Sequence, residues 1–370
     1  MAINLHTKYA KELDQAYRAA SLLTKAFSDN VSFAGNKTVI VSNVVTQSLN
    51  DYDRAGNGSR YGVMQEVQDT VQELTMSQDK SFKMAIDKGN NMDQNGIKEA
   101  GRVLQLQMKE QVVPLRDGYC LGKIANEAGT IVGNSTALTK SNVISRIVEG
   151  VASLDAHEIP DDGRTLFVPA KVWSLVILSD EYQASDKKIT TGLTKNETGE
   201  LLGMRVVKVP DARWPKGANF MIVHKSAAIV PQKIRDARVI TDSEDVSGAV
   251  LVGRFYYDAF VLANKAVGIY VDVNTGTGGA TVLAAPTYAS KALAATGGAT
   301  IKYTTDGSDP RYSKTAQVYT GAFSSDPAQL RAYAYKADGT AYASPVADLI
   351  YGQETEKAGE FSPAFFSHQN

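Results

Sequence analysis

Two acidic pairs, one thiol and a set of tyrosines are the residues of this chain whose types and spacing could do chemistry. Asp306 and Asp309 share the run Asp306-Gly-Ser-Asp309-Pro, and Asp51 and Asp53 share a segment rich in Gly, Asn and Arg. Carboxylates so placed could ligate calcium or work as an acid and a base. Both pairs have a plainer reading. Asp-Gly and Asp-Pro are ordinary turn formers, so 306–310 reads as a tight connection between strands. Asp51 and Asp53 have Arg54 and Arg60 beside them, a mixed-charge cluster suited to meeting another subunit. Cys120 is the only cysteine, which rules out an intrachain disulfide and a cysteine-rich zinc site. It is expected to be a buried, inert thiol. The four histidines are far apart, and His224 closes an apolar strand, where packing is the expected role. No Gly-rich phosphate loop, His-x-x-x-His pair or Gly-x-Ser-x-Gly elbow occurs. The expectation is a chain that is no enzyme, with no catalytic, cofactor-binding or metal-ligating residue and no cofactor. Tyr303, Tyr319, Tyr333 and Tyr335 could form a sugar-stacking platform for a surface ligand, although alternating strand positions equally suit core packing.

These residues need elements to hold them. With 370 residues the chain suits two or three domains, and 43% hydrophobic with 21% charged residues is ordinary for a globular protein. The net charge of −1 divides into zero for 1–280, +1 for 281–352 and −2 for 353–370. No segment carries the basic excess of a dedicated nucleic-acid binder, so any contact with DNA is expected to be nonspecific. The start has no apolar core of signal-peptide length and no run reaches ~18 apolar residues, so neither export nor a membrane is expected.

Apolar residues at Tyr9, Leu13, Tyr17, Ala20, Leu23 and Phe27 indicate an amphipathic helix in an N-terminal arm, 1–35. From 36 to 90, β-branched alternation runs out to a Gly/Asn/Asp tip and returns as far as Ile86, the pattern of a long two-stranded arm. Such a ribbon has too little apolar face to stand alone in water, so a neighbouring copy is expected to cover it. A long spine helix is expected over 95–128, with Ile97, Ala100, Leu104, Met108, Val112 and Leu115 on one buried stripe and a kink at Pro114. Mixed helices and strands follow to 272 in irregular order, without the βα repeat of a doubly wound sheet. Residues 273–280, rich in Gly and Thr, read as a flexible linker. Short strands at near-regular spacing over 281–352 suit a small β-sandwich, and 353–370 reads as a mobile tail. The fold class is therefore α+β with an added all-β module.

Two resemblances extend this reading. Gly203-Met-Arg-Val-Val-Lys-Val-Pro-Asp-Ala-Arg-Trp-Pro-Lys-Gly, Pro231-Gln-Lys-Ile-Arg-Asp-Ala-Arg-Val and Gly253-Arg-Phe-Tyr-Tyr-Asp-Ala-Phe-Val resemble the central part of tailed-phage major capsid proteins of the Hong Kong 97-type fold. The order of arm helix, extended loop, spine helix and mixed sheet is similar too, and the likeness spans 1–272. Ile301-Lys-Tyr-Thr-Thr-Asp-Gly-Ser-Asp-Pro with Tyr319-Thr-Gly and Leu330-Arg-Ala-Tyr-Ala resembles the immunoglobulin-like domain at the C-terminus of chitobiases and β-hexosaminidases. The first resemblance implies a shell subunit that assembles with itself into hexamers and pentamers around double-stranded DNA. It implies portal and scaffolding proteins as partners, and a virion assembled in the bacterial cytoplasm. Some capsids of this fold cross-link neighbours through a loop lysine, but 47–62 contains none. The second resemblance implies a module displayed on the surface, with a host-surface glycan as a candidate ligand. It also supplies the rival reading, a carbohydrate-binding or glycoside-hydrolase-associated protein.

Overall fold

The computed structural model describes residues 21–23, 26–27, 33–34, 38–44, 52, 54, 69–93, 99–184, 197–241, 246–311, 313, 315–337 and 339–350. The expected arm helix, apart from five residues at its end, and the expected tail lie outside them. The chain divides into two compact units, 1–282 with 340–342, and 283–339 with 343–370.

The first unit is built on a six-stranded mixed sheet. Its order is Thr130–Asn134, Ile269–Asn274, Ala218–His224, Arg164–Pro169, Met204–Val209 and Glu197–Leu201. The inner strands are near-continuous apolar runs because both faces of the sheet are covered. On one face helix Val143–Ala156 places Ile147 and Leu154 against Phe220, Ile222 and Tyr270. Gly150 permits the approach, since a Cβ there would stand 3.0 Å from both Ile222 and Tyr270. On that face helix Ala170–Ile177 adds Val172, Trp173 and Val176. On the strand pointing the other way, Phe167 stacks on Phe27 at 5.8 Å.

A second, antiparallel sheet sets Gly248–Tyr257 between Gln232–Ile240 and Gln78–Asp87. Phe82 and Phe255 stack at 6.1 Å across Gly253, where a Cβ would meet the Phe82 ring at 2.4 Å. Helix Ala100–Gln107 packs on these strands.

The spine is one continuous helical run: Ala100–Gln107, a π turn Met108–Val112, and Val113–Asn126. Proline has no N–H to give the preceding turn, and a wider i→i+5 turn just before Pro114 takes the place of the expected break. One extra residue in a turn rotates the following side chains by about 100°. The expected stripe is therefore corrected. Leu104 and Met108 are only half-buried, Leu115 is 57% exposed, and the buried face belongs to Asp117, Cys120, Leu121, Ile124 and Ala125.

The extended arm is also corrected. Thr38–Val44 pairs antiparallel with Asp69–Thr75, Thr38 opposite Thr75 and Val44 opposite Asp69, and Phe33–Ala34 adds a short third strand. The return strand ends at Thr75. After Met76 and Ser77 the chain enters the second sheet as Gln78–Asp87.

Residues 274–280, read as a flexible linker, form a hydrogen-bonded turn. Asn274 N donates to Gly217 O and Ala280 N to Asn274 O, each at 2.8 Å, and Gly279 N to Gly276 O at 3.0 Å. Here glycine serves geometry: Gly278 has φ +76°, and a Cβ on Gly279 would stand 1.9 Å from Asn274 O. The second unit is the expected small all-β module. Its four-stranded sheet runs Gln317–Val318, Thr300–Thr304, Leu330–Tyr335, Ala347–Ile350, beside a hairpin of Thr287–Ala289 with Ala292–Ala294. Leu293, Ile301, Leu330 and Ala332 form its core.

The central sheet buries a charge. Asp272, 1% exposed, accepts both its oxygens' contacts from Arg146 Nη2 at 3.0 and 2.8 Å, one from Asn134 Nδ2 at 2.6 Å, and one from Asn219 Nδ2. Removing the cation alone strands a buried carboxylate. Arg146→Met is expected to cost about 3–5 kcal/mol of stability in urea unfolding of the first unit. A loss below about 1 kcal/mol would mean that water reaches Asp272.

Candidate assembly interface

The arm is the feature least able to stand alone, and its base shows how it is held. Met76 is buried, and its carbonyl accepts a hydrogen bond from Tyr256 Oη at 3.1 Å. Ser77 donates from N and Oγ to Asp258 Oδ2 at 2.7 and 3.0 Å. The same carboxylate accepts Tyr119 Oη at 3.0 Å and Lys123 Nζ at 2.8 Å on Oδ1, both from the spine. Lys123 also lies over the Phe260 ring at 4.5 Å, a cation–π contact. Leu74, Met76, Ile229, Tyr256, Phe260 and Leu262 close an apolar cluster around the joint.

Of the expected tip residues, Arg54 is described and exposed, as is Tyr52, while Asp51, Asp53 and Arg60 lie outside the described residues. The expected cluster is thus represented by Arg54 alone. Sequence reading missed Ile177, Leu178 and Leu202, large apolar side chains exposed on the first unit. Leu202 was concealed by its place in a turn, at φ +52° beside Gly203.

A second anchor holds residues 21–23 and 26–27, within the expected N-terminal arm. Ser21 Oγ donates to Asp117 Oδ1 at 2.9 Å and Leu22 N to Oδ2 at 3.0 Å, while Arg213 Nη1 reaches Oδ2 at 3.2 Å. Arg116 Nη2 donates to Ser21 Oγ at 2.8 Å. Leu22, Leu23, Ala26 and Phe27 are buried with it.

The tyrosines of the second unit do not form one platform. Tyr303 pairs with Ala332, whereas Tyr333 sits opposite Lys302, so successive side chains put Tyr303 on one sheet face and Tyr333 and Tyr335 on the other. Tyr303, Tyr319 and Phe323 pack edge-on or tilted, with Tyr303 and Phe323 centroids 5.0 Å apart. Tyr333 and Tyr335 stack at 5.5 Å. Tyr303 and Tyr319 are half-buried, Tyr333 is buried and Tyr335 half-buried.

The other candidate chemistry reads as structure. Asp306 accepts from Ser308 N at 3.1 Å and Thr315 Oγ1 at 2.6 Å, and Asp309 pairs with Arg311 at 2.7 Å, which makes the run a turn. Cys120 is fully buried, with burial pushing its thiol up to about 12. His224 is buried between Ser226 Oγ at 2.8 Å and Asp162 O at 3.0 Å, and desolvation lowers its pKa. Among the described residues no three His, Cys, Asp or Glu side chains group as metal ligands. No described helix is long and apolar enough to cross a membrane. A cleft of about 340 Å³ in the first unit is lined by Leu138, Val172, Leu175 and Trp214, with Asp211, Lys171 and Lys216 as its charged residues.

Comparison with solved structures gives this geometry a context. A structure from Mycobacterium phage Che8 is 19% identical, covers 73% of this chain and 97% of its own, and superposes with a TM-score of 0.54. The capsid structure of cyanophage P-SCSP1u is 11% identical over 73% of this chain and 93% of its own, TM-score 0.57. The mature capsid of bacteriophage PhiM1 is 12% identical over 72% and 91%, TM-score 0.56. The chain has the phage capsid fold. At these identities the likeness is one of fold, and it agrees with the Hong Kong 97-type architecture read from the order of elements. Residues 283–346 match the chitobiase/beta-hexosaminidase C-terminal domain family, an immunoglobulin-like module appended to the capsid fold. No curated protein matches the sequence.

The Asp117 anchor has a pH signature. Desolvation, its largest influence, raises the carboxyl above the ordinary 3.8, against lowering by Leu22 N, Ser21 and the two arginines. A carboxyl raised on folding contributes stability that is complete below the unfolded value and lost as pH rises through the folded one. Relative to Asp117→Asn, which cannot titrate, the wild type should gain stability as pH falls from neutral toward 4. Denaturant unfolding of both proteins across that range measures it; a constant difference would mean that the hydrogen bonds and arginines cancel the desolvation of Asp117.

Proposed function

We propose that this chain is the shell protomer of a tailed phage, assembling into hexamers and pentamers around double-stranded DNA. The observation that carries the reading is the capsid fold with its arm: a narrow sheet, 38–44 with 69–75, that leaves the body through a two-residue joint. So thin a sheet lacks the apolar face for independent stability and is completed when it lies across a neighbour. The partners are further copies of the chain, with portal and scaffolding proteins and nonspecifically held DNA. Assembly takes place in the host cytoplasm. The chain is a structural protein rather than an enzyme.

The domain limits proposed for this function are 1–272 for the shell and 281–352 for the module. The module decorates the outer surface, because an interior filled with DNA leaves little room for one extra domain per copy. Its near-neutral charge gives it no attraction to phosphate. A host-surface glycan remains the proposed ligand; Tyr303 and Tyr319 pack against the module's core, which leaves half-buried Tyr335 as the ring offered to it.

Expressed alone or with a scaffold, the protein should give shells or capsomers in negative-stain microscopy; dispersed monomers at high concentration would end this reading. Deleting residues 51–60 should leave a folded, soluble protomer that does not close shells, and normal particles from the deletion would remove the arm from assembly. In intact particles, added protease should cut within 283–350 and leave the shells whole. Complete protection of the module, in particles shown to be sealed, would place it inside.

A further inference from the structure

We infer that Asp258 couples the direction of the extended arm to the spine helix, one carboxylate oxygen holding the arm and the other the spine. The inference concerns the single protomer and does not depend on the shell reading.

The arm sheet and the second sheet share no strand, so no ladder of backbone hydrogen bonds fixes the angle between them. The chain crosses from one to the other through Met76 and Ser77 alone. Apolar contacts around Leu74 and Met76 hold the joint shut but are non-directional. Direction must come from hydrogen bonds, which weaken steeply as their angles open. Those at Ser77 end on Asp258 Oδ2, from N at 2.7 Å and Oγ at 3.0 Å. Oδ1 is taken by Tyr119 Oη at 3.0 Å, Lys123 Nζ at 2.8 Å and Ala259 N at 2.8 Å. Tyr119 Oη also lies 3.2 Å from Ser77 Oγ, closing a ring of contacts. Asp258 is fully buried and Tyr119 and Lys123 half-buried, so the acceptor side of the ring is shielded, while Ser77 itself is exposed. Tyr119 and Lys123 lie one helical turn apart on the same spine face, so a shift of that segment moves Oδ1 and, through the rigid carboxylate, Ser77. Asp258 is a positioning residue, and its position at the end of Gly248–Tyr257 makes the second sheet the fixed frame of the device.

Spin labels at Arg54→Cys on the arm and Leu178→Cys on the body, both exposed, report the arm's direction by pulsed electron resonance on the unassembled full chain. The native Cys120 is buried and stays unlabelled. Asp258→Asn should shift the distance distribution or broaden it about twofold as more arm orientations become populated. Tyr119→Phe with Lys123→Met leaves Asp258 and Ser77 in place and removes the spine side together with the Tyr119–Ser77 contact; it should shift the distribution, and so should Lys123→Met alone, which keeps that contact. A destabilising control far from the joint, Ile147→Val, should leave it unmoved. Unchanged distances in the Tyr119/Lys123 pair overturn the coupling, whatever Asp258→Asn does. If Asp258→Asn does not fold, the Tyr119/Lys123 pair decides alone.

Discussion

Three carboxylates with essentially no solvent exposure, Asp117, Asp258 and Asp272, are the constraint on which the capsid-fold unit depends. An ion taken out of water loses several kcal/mol of hydration, recovered only with excellent geometry and full hydrogen bonding. Each aspartate meets that condition by drawing donors from elements far apart in sequence. Asp117 joins Ser21 and Leu22 to Arg213; Asp258 joins Ser77 to the spine and the second sheet; Asp272 joins Arg146 on a helix to Asn134 and Asn219 on two strands. A fold whose elements follow no repeating order gets little guidance from local pattern. Polar contacts of this kind discriminate between arrangements that apolar packing alone would tolerate.

Much of the body was legible from residue pattern. The runs at Met204–Val209, Ala218–His224 and Gly248–Tyr257 are apolar and β-branched enough to be strands in any context, and the module announced itself through short strands and Asp-Gly turns. The misreadings have specific causes. Polar–apolar alternation continues through Met76 and Ser77 without a Gly or Pro, so nothing local marks the passage from one sheet to another. Pro114 was rightly flagged as a disturbance, but a sequence does not tell a kink from a π turn, and the rotation that follows moved Leu115 to the surface. At 274–280 the glycines supply left-handed backbone and close approach, which composition cannot separate from flexibility.

The site was less legible than the fold, and for a physical reason. An assembly surface is defined by what it lacks until a partner arrives, whereas sequence motifs encode what a residue does within its own chain. The tyrosines illustrate the second half of this. Four aromatic residues looked like one platform, but strand alternation divides them between two faces. The buried aspartates did leave a trace: Asp258 stands between Tyr256-Tyr257 and Ala259-Phe260, and Asp272 between Val271 and Val273, each an acid inside an apolar run. An acid in such a place is either a local error of pattern or the centre of a paired network, and here it is the second.

The arm and the buried carboxylates answer opposite requirements of one molecule. In the proposed role, a subunit that fits several environments in a closed shell needs a part that can reach a neighbour and a body that does not deform when it does. The body obtains stiffness from charges it cannot release without losing several kcal/mol each. In that role the arm, a narrow sheet, is completed by a neighbouring copy. The two meet at Met76 and Ser77, where a buried apolar side chain and a buried ion pair lie side by side. Apolar burial there resists separation without fixing an angle, and the Asp258 bonds fix an angle with little resistance to separation of their own. A joint of this composition transmits direction across two residues, which a flexible linker in the same place could not do.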